Sequence, residues 1–186
     1  MLINTITDMH PTTPRALLFN GTVGAGKTSV AAAAGESLAR DQISHAVIDL
    51  DALAQIWPAP IGDPFNLSVT LANLHAVAAN YLAAKAEWLL VSGVVETRSD
   101  RERYRQALGV PLQVCRLRAS GPELSRRLRA RHTDEPDAMA WHLDRAGELD
   151  RILDTAAVDD FEVLSTGKKV RDIAAEALEA ARAILV

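Results

Sequence analysis

Short, uninterrupted apolar runs alternate along this chain with longer stretches in which apolar residues recur every three or four positions. Ala16-Leu17-Leu18-Phe19 is the first such run. It is too short for a helix and shows no polar alternation, so it predicts a strand buried on both faces. Thr28 to Arg40 follows, rich in alanine and carrying Val30 and Leu38, and has high intrinsic helix propensity. His45-Ala46-Val47-Ile48-Asp49, Trp88-Leu89-Leu90-Val91-Ser92 and Leu112-Gln113-Val114-Cys115-Arg116-Leu117 predict three more strands, each separated from the next by helical pattern. Phe161-Glu162-Val163-Leu164 is a weaker fifth, followed by Val170 to Ala183 with apolar residues at helical spacing. This alternation predicts an α/β fold: a doubly wound, mostly parallel five-stranded sheet with helices on both faces.

Two insertions interrupt the regular beat. Ala52 to Glu87 opens with a proline-rich turn, Trp57-Pro58-Ala59-Pro60 and Asp63-Pro64, then predicts a helix from about Asn66 to Lys85. Glu123 to Arg131 reads as a basic helix, His132 to Pro136 as a break, and Asp137 to Thr155 as a second helix. Both insertions are expected to project from the carboxyl edge of the sheet. At about 150 residues per domain, residues 1–186 are expected to form one domain.

Composition narrows the class. With 48% hydrophobic and 24% charged residues the chain has enough apolar side chain for a core, which excludes disorder and collagen-like fibres. No run of about 18 apolar residues suggests a membrane span, and the first ten residues lack the basic start and apolar stretch of a secretory signal. A cytoplasmic location is expected. Cys115, the single cysteine, has no partner for an internal disulfide and reads as core filler. A formal charge of −4 makes nucleic acid an unfavoured partner.

Chemistry enters at Gly21-Thr22-Val23-Gly24-Ala25-Gly26-Lys27-Thr28, which fits G-x-x-x-x-G-K-[ST] between a predicted strand and a predicted helix. In such a P-loop the backbone N–H groups turn inward around a phosphate, a wrap that side chains at the glycine positions would obstruct. Gly21 to Ser29 are therefore the expected nucleotide cradle. Lys27 is expected to reach the β- and γ-phosphates of ATP and Thr28 to offer its hydroxyl to Mg²⁺, with the helix amino end adding its dipole. Asp49-Leu50-Asp51 ends the second predicted strand, read as the next neighbour of the P-loop strand, and strand alternation would put both carboxylates on one side. Beside a bound triphosphate one carboxylate can hold water of the Mg²⁺ shell while the other takes a proton from an attacking hydroxyl. A loop start with a helix cap at Asp51 is the structural alternative.

The GTVGAGKT loop, the DLD after the second strand and the two insertions resemble the small-molecule kinase branch of P-loop proteins: shikimate, gluconate and adenylylsulfate kinases and nucleoside monophosphate kinases. The resemblance implies that the first insertion, about 52–87, holds the acceptor. It implies that the second, about 120–136, is a lid whose arginines clamp the transferring phosphoryl group. It also implies that Asp49 faces the metal and Asp51 the acceptor. Arg126, Arg127, Arg129 and Arg131 fall in the lid-like segment, and Arg127 and Arg131, four apart, share a helix face. Arginine forks stabilise the charge spread over a transferring phosphoryl group, which makes these two the expected catalytic pair.

The resemblance fails after the third strand, where Ser92-Gly93-Val94-Val95-Glu96-Thr97-Arg98 carries none of the D-G-[FY]-P-R, G-G-G or I-S-P patterns of those kinases. Gly93 would let an acceptor approach the backbone, and Arg98 is a candidate for an acidic one. Ala52 to Glu87 contains no arginine and one lysine, Lys85, which points to a neutral or cationic acceptor. Asn66, Asn73, His75, Asn80 and Tyr81 are candidate polar contacts there, with Trp57 as an aromatic wall. His75, His132 and His142 lack zinc spacing. Ser165-Thr166-Gly167-Lys168-Lys169 is a candidate loop against adenine. The reading is a phosphotransferase moving the γ-phosphate of ATP, with Mg²⁺, to a hydroxyl of a small molecule, Asp51 or Asp49 acting as base. A regulatory nucleotide switch and a polynucleotide end kinase are the alternatives; the chain has no Asn-Lys pair for a guanine-reading N-K-x-D.

Overall fold

The computed structural model describes residues 13–131 and 147–184. The strands are β1 (Arg15–Asn20), β2 (His45–Asp49), β3 (Trp88–Ser92), β4 (Leu112–Arg118) and β5 (Phe161–Leu164). The helices are α1 (Lys27–Arg40), α2 (Leu50–Leu53), α3 (Leu67–Ala83), α4 (Arg98–Leu108), α5 (Gly121–Arg131), α6, described over 147–156, and α7 (Val170–Ala183). Every expected strand is present within a residue or two of its sequence bounds. Residues 132–146, which hold the break and most of the second helix expected in the lid-like segment, lie outside the described residues.

All strand pairs are parallel, in the order β2-β3-β1-β4-β5. Leu18 of β1 stands opposite Val91 of β3 on one side and Val114 of β4 on the other. This corrects one expectation: β3, not β2, is the neighbour of the P-loop strand, and the DLD segment closes the edge strand one place further out. Local sequence pattern fixes strands but not their order. At β1 the chain winds to one side through β3 and to the other through β4, so the loop after β1 opens at the switch point where doubly wound sheets bind ligands.

Why β1 reads as an unbroken apolar run is clear from its two faces. Leu17 and Phe19 pack with Val30, Ala34 and Leu38 of α1 and Ile173, Ala177 and Leu178 of α7. Ala16 and Leu18 pack on the other face with Leu74 and Ala78 of α3 and Tyr104 and Leu108 of α4. Leu17, Leu18 and Phe19 are wholly buried, worth roughly 1.5–3 kcal/mol each in area removed from water. At the opposite extreme β5 is an edge strand, with Val163 buried between exposed Glu162 and Leu164.

Helix α6 is fastened to the sheet by charge as well as packing. Arg116 of β4, only 2% exposed, donates to the carboxylates of Asp150 and Asp154 at 2.7 Å each and to the Asp150 carbonyl at 3.1 Å. Leu149 and Leu153 of α6 are buried beside it. Among the described residues no helix is long and apolar enough to cross a membrane.

Candidate functional site

The P-loop joins β1 to α1 as its sequence requires. Gly21 has φ of 139°, and a Cβ there would lie 2.6 Å from the Leu117 carbonyl oxygen, so no larger residue fits without moving β4. Gly26, with φ of 99°, is the residue from which α1 departs, leaving the first N–H groups of the helix facing the loop. Nζ of Lys27 donates to the carbonyls of Gly21 and Thr22, both at 3.0 Å, bracing the loop across its mouth. Asn20 sets the entry: its Oδ1 accepts from Gly21 N at 2.9 Å and Val95 N at 3.2 Å, while its Nδ2 donates to the Val95 carbonyl and to Asp159. One buried amide thus ties the P-loop to the β3–α4 loop and to the approach to β5. Among the other cradle positions, Thr22 and Ala25 are buried, Val23 is half-buried and Ser29 is exposed on the first turn of α1.

Asp49 and Asp51 occupy different elements. Strand β2 ends at Asp49 and the chain turns into α2 at Leu50, so strand alternation does not relate the two carboxylates, contrary to expectation. Asp49 is the helix cap, its Oδ1 accepting from Asp51 N at 3.0 Å. Its Oδ2 accepts from the Thr28 hydroxyl at 3.1 Å, which brings edge strand and P-loop helix together across β3. Ser92 stands in register with Asp49 at the end of β3, is 2% exposed, and its hydroxyl has no partner among the described residues. A threonine hydroxyl, a carboxylate and an unengaged serine hydroxyl at one sheet edge are hard oxygen donors of the type Mg²⁺ takes, often through retained water. Among the described residues no group of three or more His, Cys, Asp or Glu is placed to hold a metal by itself.

Beside Asp51 opens a cavity of about 390 Å³. Val23 of the P-loop, Leu50 and Asp51 of α2, Phe65, Thr70 of α3, Glu96, Asp100 and Tyr104 of α4, and Leu149 of α6 all contribute to its wall. Its aromatic surfaces are Phe65 and Tyr104. Trp57, the expected wall, is 92% exposed and takes no part. The polar residues expected there serve the scaffold instead. Asn66 donates to the carbonyls of Ala54 and Ile56, Asn73 to that of Leu53, and the His75 ring meets the Ala107 carbonyl. Asn80 and Tyr81 are exposed and do not line the cavity. Gly93 is approached by protein rather than left open: a Cβ there would lie 2.3 Å from Leu50 Cδ1. Arg98 and Arg101 point to the segment that leads into β5. Arg98 donates to the Ala156 carbonyl, and Arg101 to the Val158 carbonyl and the Asp160 carboxylate.

The sequence reading missed Glu96, Asp100, Tyr104 and Phe65. Asp100 was hidden as a capping residue: Thr97 caps α4, with its hydroxyl 2.7 Å from the Asp100 carboxylate and accepting from Asp100 N. Tyr104 is pushed up to about 12, chiefly by burial, then by the Asp100 and Asp51 carboxylates against Arg103, so its phenol stays protonated at any ordinary pH.

The two lid arginines part company. Arg127 is half-buried and heavily engaged: Nε donates to Glu123 at 2.8 Å, Nη1 to the Ala25 carbonyl at 3.1 Å and the Ser165 hydroxyl at 3.2 Å, and Nη2 to the Ser165 carbonyl at 2.9 Å. It couples the P-loop to the start of the 165–169 loop. The side chain of Arg131 lies outside the described residues. Glu123 is held down to about 2, first by its hydrogen bond to Arg126 and then by Arg127, so it stays ionised and keeps both guanidiniums in place. Lys168 pairs with Glu176 of α7.

No curated protein matches by sequence. Among solved structures, the chain is similar to a shikimate kinase from Acinetobacter baumannii in complex with shikimate, at 20% identity, TM-score 0.59, covering 93% of this chain and 95% of that one. It is similar to the APS kinase of Mycobacterium tuberculosis in complex with AMPPNP and APS, at 19% identity and TM-score 0.56, covering 92% and 99%. A tunicamycin resistance protein from Deinococcus radiodurans superposes at TM-score 0.65 with 18% identity, covering 90% and 95%. Identities this low establish the fold, which is that of the P-loop small-molecule kinases. The family model described as an AAA domain matches residues 17–155, most of the chain, and the protein belongs to that family of P-loop domains.

Proposed function

We propose that the protein is an ATP-dependent phosphotransferase that moves the γ-phosphate to a hydroxyl of a small, neutral or cationic molecule, and that residues 1–186 act as one domain. The observation that carries this reading is the continuity of the two half-sites: the cavity beside the P-loop has Val23 of the loop and Asp51 of α2 in one wall. Its volume of about 390 Å³ suits a metabolite-sized acceptor.

In this mechanism the backbone of Gly21 to Ser29 and the amino end of α1 hold the nucleotide phosphates, and Lys27 leaves the Gly21 and Thr22 carbonyls to neutralise the β- and γ-phosphates. Thr28 and Asp49, already joined at 3.1 Å, would hold Mg²⁺, with Ser92 as a further oxygen behind them. The ion supplies charge neutralisation on the phosphate oxygens. Asp51, on the cavity wall, orients the acceptor hydroxyl and accepts its proton as the oxygen attacks phosphorus. The ties of Arg127 to Ala25 and Ser165 hold the lid helix against the loop, and Arg127 and Arg131, four apart in sequence, are the arginines assigned to the charge of the transferring group. The 165–169 loop, held by Arg127, is the place for adenine.

The test is a pair of variants. Lys27→Ala abolishes acceptor-dependent ADP formation, whereas Asp51→Asn still binds ATP and loses transfer. Full transfer in either variant removes the assignment.

A further inference from the structure

Resting on the phosphotransferase reading, we infer that the acceptor carries a positive charge, an ammonium group on a polyhydroxylated ring, as in amino sugars and amino cyclitols. Three observations converge on it. The first is the sign of the wall. Every charged residue among the described lining is acidic: Asp51 from α2, Glu96 from the β3–α4 loop and Asp100 from α4. No lysine, arginine or histidine among the described residues lines the cavity, although the arginine-rich α4 borders it. Its arginines are engaged by protein: Arg101 by Asp160, Arg105 by Glu102, and Arg103 by Oδ1 of Asp100 at 3.4 Å.

The second is the spread of the carboxylates. Three acidic groups converging on a point would be a metal site, but among the described residues none is so placed. They stand instead on separate elements around a space of molecular size, an arrangement that suits an organic cation with hydroxyls to hold. Thr70, Thr97 and the protonated Tyr104 add neutral hydrogen-bonding groups between them and no positive charge.

The third is aromatic. Phe65 and Tyr104 stand on the wall with the carboxylates, and an aromatic face attracts an ammonium group while giving nothing to an anion. A carboxylate- or phosphate-bearing acceptor would meet the Asp51, Glu96 and Asp100 carboxylates with no cation among the described lining residues to receive it, and like-charge juxtaposition is costly. The same field argues against a polynucleotide end.

The test uses matched probes on the full chain with Mg²⁺ and a non-hydrolysable ATP analogue: glucosamine and 2-deoxystreptamine, their N-acetylated forms, glucose and gluconate. Calorimetry is expected to give the amines at least tenfold tighter binding than their N-acetylated forms, with gluconate weakest. Asp100→Asn and Glu96→Gln, each checked by thermal melting for folding, are expected to erase that preference. Equal or tighter binding of the acetylated, neutral or anionic probe overturns the inference, as does failure of both amines to bind at millimolar concentration. Phosphorylation separates this from the parent reading: transfer to gluconate or glucose alone would keep the kinase and lose the cationic acceptor. Amine binding that resists both carboxamide variants also overturns it.

Discussion

Replacing Gly93 by alanine tests how the acidic pair is positioned. Gly93 has no unusual backbone conformation, so the substitution is a purely steric probe. The new Cβ would lie 2.3 Å from Leu50 Cδ1, 2.8 Å from Cγ and 3.0 Å from Cβ. Rotating the Leu50 side chain into the cavity it lines relieves the contacts to Cδ1 and Cγ but not the one to Cβ, which is fixed to the backbone of α2. The helix α2 must therefore move. Overpacking of this kind costs about 1–3 kcal/mol, or a fall in Tm of roughly 2–12 °C for a chain of this size. The effect on chemistry is larger, because Leu50 sits between Asp49, 3.1 Å from the Thr28 hydroxyl, and Asp51 on the cavity wall. Displacement on the order of 1 Å at a reacting group costs about 100-fold in turnover. Thermal unfolding and acceptor-dependent ADP release are the assays. Leu50→Ala in the Gly93→Ala background removes the two closest contacts and keeps the one at 3.0 Å, so the double variant regains part of the lost rate, with a coupling of about 1–3 kcal/mol in the stability cycle. A Gly93→Ala protein with unchanged Tm and turnover, or a double variant with strictly additive losses, refutes this account of the edge.

Other consequences are more local. Arg116→Met removes two short hydrogen bonds to half-exposed carboxylates that water can reclaim, so the expected loss is about 2–3 kcal/mol, seen in denaturant titration. The same change loosens α6 and raises KM for the acceptor, since Leu149 lines the cavity; an unaltered KM would separate α6 from the site. Burial raises the Asp159 carboxyl above its ordinary value, with Asn20 opposing. Its ionisation therefore penalises the fold, an effect absent below the unfolded-state value and fully developed once pH passes the raised folded-state value. Asp159→Asn keeps an oxygen for the Asn20 amide, so it raises Tm at pH 7 more than at pH 4; an equal change at both pH values contradicts the assignment. Cys115 is wholly buried and its thiol is pushed strongly upward by burial, so a thiol reagent labels it only on unfolding.

Much of the fold was legible because its signals are local. Ala16 to Phe19 is apolar throughout because helices cover both faces of β1, and Gly21 and Gly26 announce a loop that other residues cannot adopt. What the sequence could not convey is non-local. The order of strands depends on which crossover goes which way, so β2 was read one place too close to the P-loop. Asp49 and Asp51 were paired by strand alternation, but the strand ends at Asp49, whose own carboxylate starts α2. Trp57 looked like a pocket wall and takes no part in it, while Tyr104 takes that place from α4, packed against α3, and Phe65 from the turn ahead of α3. Arg98 looked available to an acidic acceptor, and it donates to the Ala156 carbonyl, 58 residues away in sequence, while Arg101 beside it is engaged by Val158 and Asp160. Glu96 and Asp100 resembled ordinary loop and cap residues until the fold set them around one space.

The most direct measurement follows the terminal phosphate itself. Incubation of the protein with γ-³²P ATP, Mg²⁺ and an amino sugar or amino cyclitol, with products separated by charge, should place the label on the acceptor and lose it with Lys27→Ala. Label recovered only as inorganic phosphate, at a rate indifferent to every acceptor, would contradict a phosphotransferase and describe a nucleotide-hydrolysing switch instead.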